Sequence, residues 1–349
     1  MIKISEPWIG EKEKNEVIKV IESGMLVQGE KVKEFEDRFK EYLGVKNAIA
    51  VNSGTAALHL ALLSLGLKKD DEVITSAFSF IASANSVKFC NGKVVFVDIG
   101  DDYNIDVSKI KEKISEKTKV IMPVHLYGNP CDMDDIMKIA KENKLNVVED
   151  CCQAHGAEYK NKKVGSIGEV GCFSFYPSKN MTTGEGGMIV TNDDGIAEKC
   201  RLLRNHGSKK KYRHEVLGYN YRMMDLNAVI GIEQLKKLDE FNKKRRENAE
   251  YYNKNLGNVV KPVVDRNKKH VFHQYTIRVK DRDEVIKKLE EKGIGYGVYY
   301  DKPIYKQKVY SGEYEELENT ERISKEVISL PVHPKLSKED LDKVIEVLK

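Results

Sequence analysis

Three short polar clusters interrupt apolar runs in this sequence, and each carries groups that can do chemistry. The first is Asn52-Ser53-Gly54-Thr55-Ala56, between the apolar stretch 48–51 and a second one reaching residue 65. A helix starting here would aim its free N–H groups at the turn, which attracts phosphate, and Gly54 would allow close backbone approach. Ser53 or Thr55 acting as a plain N-cap accounts for the same residues equally well. The second cluster is Asp150, after Val147-Val148 and before Gln153 and His155. A carboxylate at the end of a buried strand is costly unless a protonated ring nitrogen, a metal or an arginine meets it. Capping of the following turn is the competing explanation. His155 and Glu158 have no third ligand of suitable spacing, so no metal site is expected. The third cluster is Ser174-Phe175-Tyr176-Pro177-Ser178-Lys179-Asn180, which leads into the turn Gly184-Glu185-Gly186-Gly187. A lysine between a buried strand and a glycine turn can be desolvated, which lowers its pKa and makes it a nucleophilic amine. Elsewhere a lone lysine is a solvated surface charge.

These clusters fall at the ends of expected strands. The pattern predicts helix over 10–43, broken by a glycine-containing connection near 24–29 and stopping at Gly44. Strands are expected at 48–51, 73–75, 94–97, 120–124 and 146–148, with helices at 55–65, 79–89 and 134–143 between them. Further strands are expected at 171–175 and 188–191. Such alternation predicts a mostly parallel sheet covered on both faces, with ligands at the carboxyl ends of its strands. The stretch 225–256 reads as long and helical. A strand at 274–279, a helix at 283–292 and a closing helix follow. The change near 246–258 suggests a large domain over 1–245 and a smaller one over 246–349, with residues 1 to about 25 packing on the smaller one.

Composition narrows the classes. The 349 residues carry 59 Lys plus Arg against 55 Asp plus Glu, a net charge of only +4, with 40% hydrophobic residues and 8 prolines. Nearly cancelling charge argues against a nucleic-acid binder and against a disordered chain. Six cysteines form no CxxC pair, so reduced core residues in a cytoplasm are expected rather than a disulfide framework. The N-terminus has no apolar segment of a signal peptide. The longest uncharged run, 47–67, is interrupted by Asn52-Ser53-Gly54-Thr55, which would leave polar groups in lipid, so no membrane span is expected.

A phosphate cradle, a buried carboxylate and a sequestered lysine are together the parts that pyridoxal phosphate (PLP) requires. The stretches NSGTAALHLAL, DEVITSAFSFIASANSV, VHLYGNPCDMDDI, VVEDCCQAHGA, FSFYPSKNMTTGEGGM, RNHGS and LGYNYRMMDLNAVIG, with residues 29–36, resemble the DegT/DnrJ/EryC1/StrS family of sugar aminotransferases. The resemblance covers roughly residues 5–245 well and the remainder loosely. It implies the three-layer α/β architecture of fold-type-I PLP transferases.

The resemblance also implies roles. Lys179 matches the lysine that bonds the cofactor, and Asp150 the carboxylate on its pyridine nitrogen. Gln153 matches the residue on the phenolic oxygen. Gly54, Thr55, Ala56 and Ser174 match the phosphate site, and Phe80 the aromatic that stacks on the ring. Asn220 matches a residue reaching the neighbouring subunit's cofactor, which implies a homodimer with shared active sites. His155 and Arg222 are candidate substrate contacts, with a turn hydrogen bond and a helix-end ion pair as alternatives. The implied reaction moves an amino group from glutamate, leaving 2-oxoglutarate, to a nucleotide-linked keto sugar, a 4-keto-6-deoxy sugar on UDP, GDP or dTDP. Amination at C3, or sugar dehydration without amination, are the alternatives, and Lys179 argues against dehydration. A nicotinamide oxidoreductase lacks its glycine fingerprint here. The family often has a His before Pro in the C-terminal sugar loop, where this chain reads Tyr299-Tyr300-Asp301-Lys302-Pro303.

Overall fold

The computed structural model describes residues 1–310 and 314–349. The chain begins with α1 (Glu11–Ser23) and α2 (Glu30–Leu43). On α2 the apolar residues Val32, Phe35, Phe39 and Leu43 recur every three to four positions and all are buried, as one face of a helix on a core must be. Gly44 ends it at φ 73°, a left-handed conformation that costs glycine nothing. Then β1 (Asn47–Val51), α3 (Gly54–Ser64), β2 (Glu72–Ser76), α4 (Ala82–Phe89), β3 (Lys93–Val97), β4 (Thr118–Met122), α5 (Met133–Asn143) and β5 (Asn146–Asp150) alternate along the chain. The short strands β6 (Glu158–Tyr159) and β7 (Lys162–Lys163) precede β8 (Val170–Ser174), β9 (Gly187–Thr191), α6 (Asp194–Arg204) and the hairpin β10 (Ser208–Lys210) with β11 (Arg213–His214). Helices α7 (Asp225–Leu235) and α8 (Leu238–Asn255) lead to β12 (Lys268–Lys269), β13 (Tyr275–Arg278), α9 (Arg282–Glu291), α10 (Glu318–Glu326), β14 (Val327–Leu330) and α11 (Lys338–Val347).

Seven strands form the central sheet in the order β1-β9-β8-β5-β4-β2-β3. The pairs β8–β5, β5–β4, β4–β2 and β2–β3 are parallel, while β9 runs antiparallel to both its neighbours. Strand residues alternate between faces. Ile49 and Val51 join α3 in one apolar cluster, whereas Ala48 and Ala50 join Phe35 and Phe39 of α2 in another. Both faces are therefore covered, as buried parallel strands require. The fold is thus a three-layer α/β architecture with a mostly parallel central sheet, as the sequence pattern leads one to expect.

Some local expectations shift. The α4 helix starts at Ala82 rather than 79, and the Oγ atoms of Ser79 and Ser83 lie 3.0 Å apart. The long helical stretch breaks at Lys236-Lys237 into α7 and α8, and α8 runs unbroken through residues 245 and 246. The first residues lie on the C-terminal part, where Ile2 bridges to Ile294 and the Lys3 carbonyl accepts from His333 Nε2 at 3.1 Å. The α1 helix instead packs on α7. Its buried Glu13 accepts from Gln234 Nε2 at 2.7 Å and from Lys237.

Two further ties join the C-terminal part to the sheet. β12 pairs with β6. Asp98, buried just beyond β3, accepts the N–H groups of Asn319 (3.0 Å) and Thr320 (2.8 Å) in the first turn of α10. A carboxylate suits a helix N-terminus, where N–H groups lack internal partners.

Candidate active site

The carboxyl ends of β5 and β8 and the N-terminus of α3 enclose a cavity of about 310 Å³, the low end of the range for ligand pockets. It is lined by Thr55, Phe80, Asp150, Gln153, Ser174 and Lys179, among others. The three polar clusters of the sequence, joined by Phe80, thus meet at one point.

Ser53 caps α3, its Oγ accepting the Ala56 N–H at 3.1 Å, while the N–H groups of Gly54 and Thr55 precede the first internal helix bond. The serine and the helix terminus thus coexist, so the cap and cradle readings are not exclusive. Gly54 packs so tightly on β8 that an added Cβ would lie 2.6 Å from Ser174 Cβ. That contact brings the Ser174 side chain to the start of the helix.

Asp150 ends β5 and is almost fully buried. Its Oδ2 accepts from Ser83 Oγ at 2.8 Å and its Oδ1 from the Cys152 N–H at 3.1 Å. These bonds fix the carboxylate's orientation but bring it no formal positive charge. Lys179 lies beyond β8 after a turn in which its N–H bonds the Tyr176 carbonyl at 2.9 Å. Burial lowers its pKa, and the fields of Cys152 and Asp150 only partly oppose the shift. Gln153 is held at both ends: its Oε1 accepts the Tyr127 N–H at 2.9 Å and its Nε2 donates to Tyr300 Oη at 3.3 Å. Phe80 is exposed at the mouth, its centroid 6.4 Å from that of Tyr300.

The chemistry of the donor set fits PLP. A helix N-terminus suits its phosphate, a buried carboxylate its ring nitrogen, and a desolvated amine its aldehyde.

Three expected residues lie elsewhere. His155 is fully buried, its ring centroid 5.5 Å from that of Phe173 and 5.6 Å from that of Phe175. This corrects the expectation of a substrate contact in its own chain, because an imidazole inside the core presents no surface to a ligand. Burial lowers its pKa to about 3, so it is neutral. Arg222 is half-buried with Nη1 on Asn205 Oδ1 at 2.8 Å, away from the cavity lining. Asn220 is exposed beside the α3 turn, its carbonyl 3.5 Å from Asn52 Nδ2, and does not line its own chain's cavity. The Ala56 N–H is already taken by Ser53, so of that turn's N–H groups only those of Gly54 and Thr55 are left to a ligand.

Sequence reasoning missed Ser83 and the contact of Tyr300 with Gln153. The only local hint of Ser83 is the four-residue spacing from Ser79. Tyr300 reaches Gln153 across 147 residues, a contact no local pattern encodes.

The neighbouring strand residue Glu149 points away from this cavity into a second buried site. Its Oε1 accepts from Ile167 N (2.8 Å) and Gly168 N (2.7 Å), and its Oε2 from Gly165 N (2.8 Å) and His125 Nε2 (3.1 Å). Burial would raise its pKa, but His125 and the backbone donors hold it below the ordinary value. All six cysteines are free. No helix among the described residues is long and apolar enough to cross a membrane.

Similarity to known proteins agrees with this geometry. The chain is 39% identical to GDP-perosamine synthase of Escherichia coli O157:H7, covering 99% of this chain and 97% of the relative. It is 42% identical to dTDP-3-amino-3,6-dideoxy-alpha-D-galactopyranose transaminase of Aneurinibacillus thermoaerophilus, covering 95% and 92%. Among solved structures, the PLP form of a putative sugar aminotransferase from Streptococcus pneumoniae superposes with a TM-score of 0.94 at 29% identity, covering 100% of this chain and 97% of that one. The family model for the DegT/DnrJ/EryC1/StrS aminotransferase family matches residues 7–349. The chain therefore belongs to the DegT/DnrJ/EryC1/StrS family and is a PLP-dependent sugar aminotransferase.

Proposed function

We propose that this enzyme transfers an amino group from glutamate to a nucleotide-linked 4-keto-6-deoxy sugar, releasing 2-oxoglutarate. The observation that carries the reading is the convergence of Lys179, Asp150 and the start of α3 on one cavity. Bound there, PLP supplies an electron sink for the pair left when the donor's Cα–H bond breaks. Lys179 Nζ holds the cofactor at rest and, once displaced, takes the proton from the donor's α-carbon. Its lowered pKa leaves more of the amine unprotonated and able to act as a base. Asp150 keeps a proton on the ring nitrogen, and Ser83 and the Cys152 N–H keep its carboxylate aimed. Gln153 directs its amide to the phenolic oxygen, because Tyr127 fixes its other end. Gly54, Thr55 and Ser174 receive the phosphate, with Ala56 holding the Ser53 cap behind them, and Phe80 covers the ring.

The working unit in this reading is a homodimer. Asn220 is exposed beside the α3 turn and would reach the partner's phosphate. Arg222, on the same segment, would meet the nucleotide's phosphates across that interface. Exposed apolar side chains at Met25, Val27 and Leu217 give a second copy something to cover. The chain is read as working in the cytoplasm, as a cofactor-binding part over 1–245 and a smaller part over 246–349. Amination at C3 is the second reading, favoured by the 42% identical relative whose name specifies a 3-amino sugar. The test is a panel of UDP-, GDP- and dTDP-linked 3-keto and 4-keto sugars with glutamate, the product identified by mass spectrometry and NMR. Absence of an amino sugar with every substrate refutes the reading.

A further inference from the structure

His59 lies on α3 beyond the phosphate turn and does not line the cavity. It is 3% exposed, and its Nε2 has no hydrogen-bond partner. Burial holds its pKa down to about 4, so the ring is neutral. Its Nδ1 shares a hydrogen bond with Tyr221 Oη at 3.3 Å. The rings of Tyr219 and Tyr221 stack on each other with centroids 5.0 Å apart, and both lean on the imidazole, at 5.0 and 6.0 Å. These tyrosines belong to an extended strip, residues 219–222, that bridges the end of β1 at Val51 and the end of α6 at Asn205. The Tyr219 N–H donates to the Leu203 carbonyl at 2.7 Å, the Tyr221 N–H to the Arg204 carbonyl at 3.1 Å, and the Asn52 N–H to the Tyr221 carbonyl at 2.9 Å.

Successive side chains of an extended chain point to opposite sides. Tyr219 and Tyr221 face α3, so Asn220 and Arg222 fall on the other side, and Asn220 is exposed there. The backbone bonds fix the path of the strip. The two rings wedged against one imidazole fix its rotation about that path, and with it the aim of the alternate residues. We propose that His59 is a positioning residue for the neighbouring subunit's site: through Tyr219 and Tyr221 it aims Asn220 and Arg222 across the interface. The inference rests on the shared-site homodimer reading above. It gives α3 two tasks. Its first turn serves the phosphate in its own chain, and its buried imidazole serves the site of the partner.

The test reads cofactor retention, as bound-cofactor absorbance of the holoenzyme during dialysis, and activity in mixed dimers. Tyr221→Phe keeps the stack and removes Oη, and weakens retention about fivefold, as loss of one neutral hydrogen bond should. His59→Leu keeps bulk and removes bond and ring, and weakens retention at least about tenfold. His59→Asn, which returns a polar atom near the Nδ1 position, recovers part of that loss. His59→Leu dissociated and reassembled with Lys179→Ala regains activity above both parents, because one of the two mixed sites then takes an intact Lys179 from one chain and an intact strip from the other. A role confined to its own helix gives no gain, since the site with the intact Lys179 keeps the damaged α3. Unchanged retention in His59→Leu overturns the proposal. So does a mixed dimer without gain, when Asn220→Ala mixed with Lys179→Ala does gain. If that control pair also fails, despite proven subunit exchange, the shared-site reading itself is refuted. If His59→Leu does not fold, Tyr221→Phe decides. Its loss disappears in an Asn220→Ala background, and additive losses overturn the proposal.

Discussion

Replacing Glu149 with Gln preserves shape and removes a charge, and the surrounding donors set the cost. Four hydrogen-bond donors meet the carboxylate: the N–H groups of Gly165, Ile167 and Gly168, and His125 Nε2. An amide offers one oxygen and one NH2 group. With its oxygen toward Ile167 and Gly168, the NH2 faces the Gly165 N–H and His125. The histidine cannot adapt by changing tautomer. Its Nδ1 accepts the Cys131 N–H at 3.0 Å, so Nε2 must carry the proton. Two buried donors then point at a third. At 1–3 kcal/mol for each unsatisfied group, the loss is about 4 kcal/mol. The unfolding entropy of a 349-residue chain is about 0.7 kcal/mol/K, so Tm falls by about 5 °C. Differential scanning calorimetry of the two proteins measures the shift. The difference is also pH-dependent. The folded pKa of Glu149 lies below its ordinary 4.5, so its stabilisation is complete above that value and is lost as pH falls through the folded pKa. The two proteins therefore converge in strong acid. A Tm within about 1 °C of the parent at pH 7 would show that the donors have other partners, and would refute the reasoning.

Borohydride reduction of the holoenzyme should fix the pyridoxyl group on Lys179, and peptide mapping that finds it on another lysine rejects the assignment. Asp150→Asn should lower turnover at least ~100-fold, about 2.7 kcal/mol of transition-state stabilisation, with near-normal turnover showing that the ring nitrogen has another partner. Asn220→Ala should weaken cofactor retention about 10- to 100-fold, as expected for a charge-assisted bond to a phosphate. Impaired Lys179→Ala and Asn220→Ala proteins, dissociated and reassembled together, should regain activity above both parents. Activity that never exceeds their average, despite proven subunit exchange, excludes a shared site.

The parts readable in the sequence are those whose cause is local. The 3–4 spacing of Val32, Phe35, Phe39 and Leu43 fixes α2 and its buried face, and Gly44 its end. The apolar run before Asp150 puts that carboxylate at a strand end, and the turn after Val51 puts Gly54 at a helix start. Strand direction has no such signature. β9 pairs antiparallel with both neighbours although its sequence resembles the parallel strands. Contacts made by folding over long separations were equally hidden, such as Ser83 on Asp150 and Tyr300 on Gln153. His155 misled because a polar residue two places beyond Gln153 looks like part of the same site. The chain turns there, and the imidazole enters the apolar layer between Phe173 and Phe175.

The path of α8 has a mechanical consequence. A helix of 18 residues is a stiff rod about 27 Å long, and this one carries the chain from the sheet to the C-terminal part without a break. That part is also fastened by β12 on β6 and by Asp98 at the head of α10. Three attachments at separate points leave no single axis about which one half can swing over the other. The wall formed by Tyr299 and Tyr300 therefore stands in place before any ligand arrives. These ties predict a cleft whose width changes little on binding, with water displaced by the incoming molecule's own volume. Selection among sugars then rests on fit to a rigid outline, and enlarging one wall residue should shift preference stepwise instead of being absorbed by movement elsewhere.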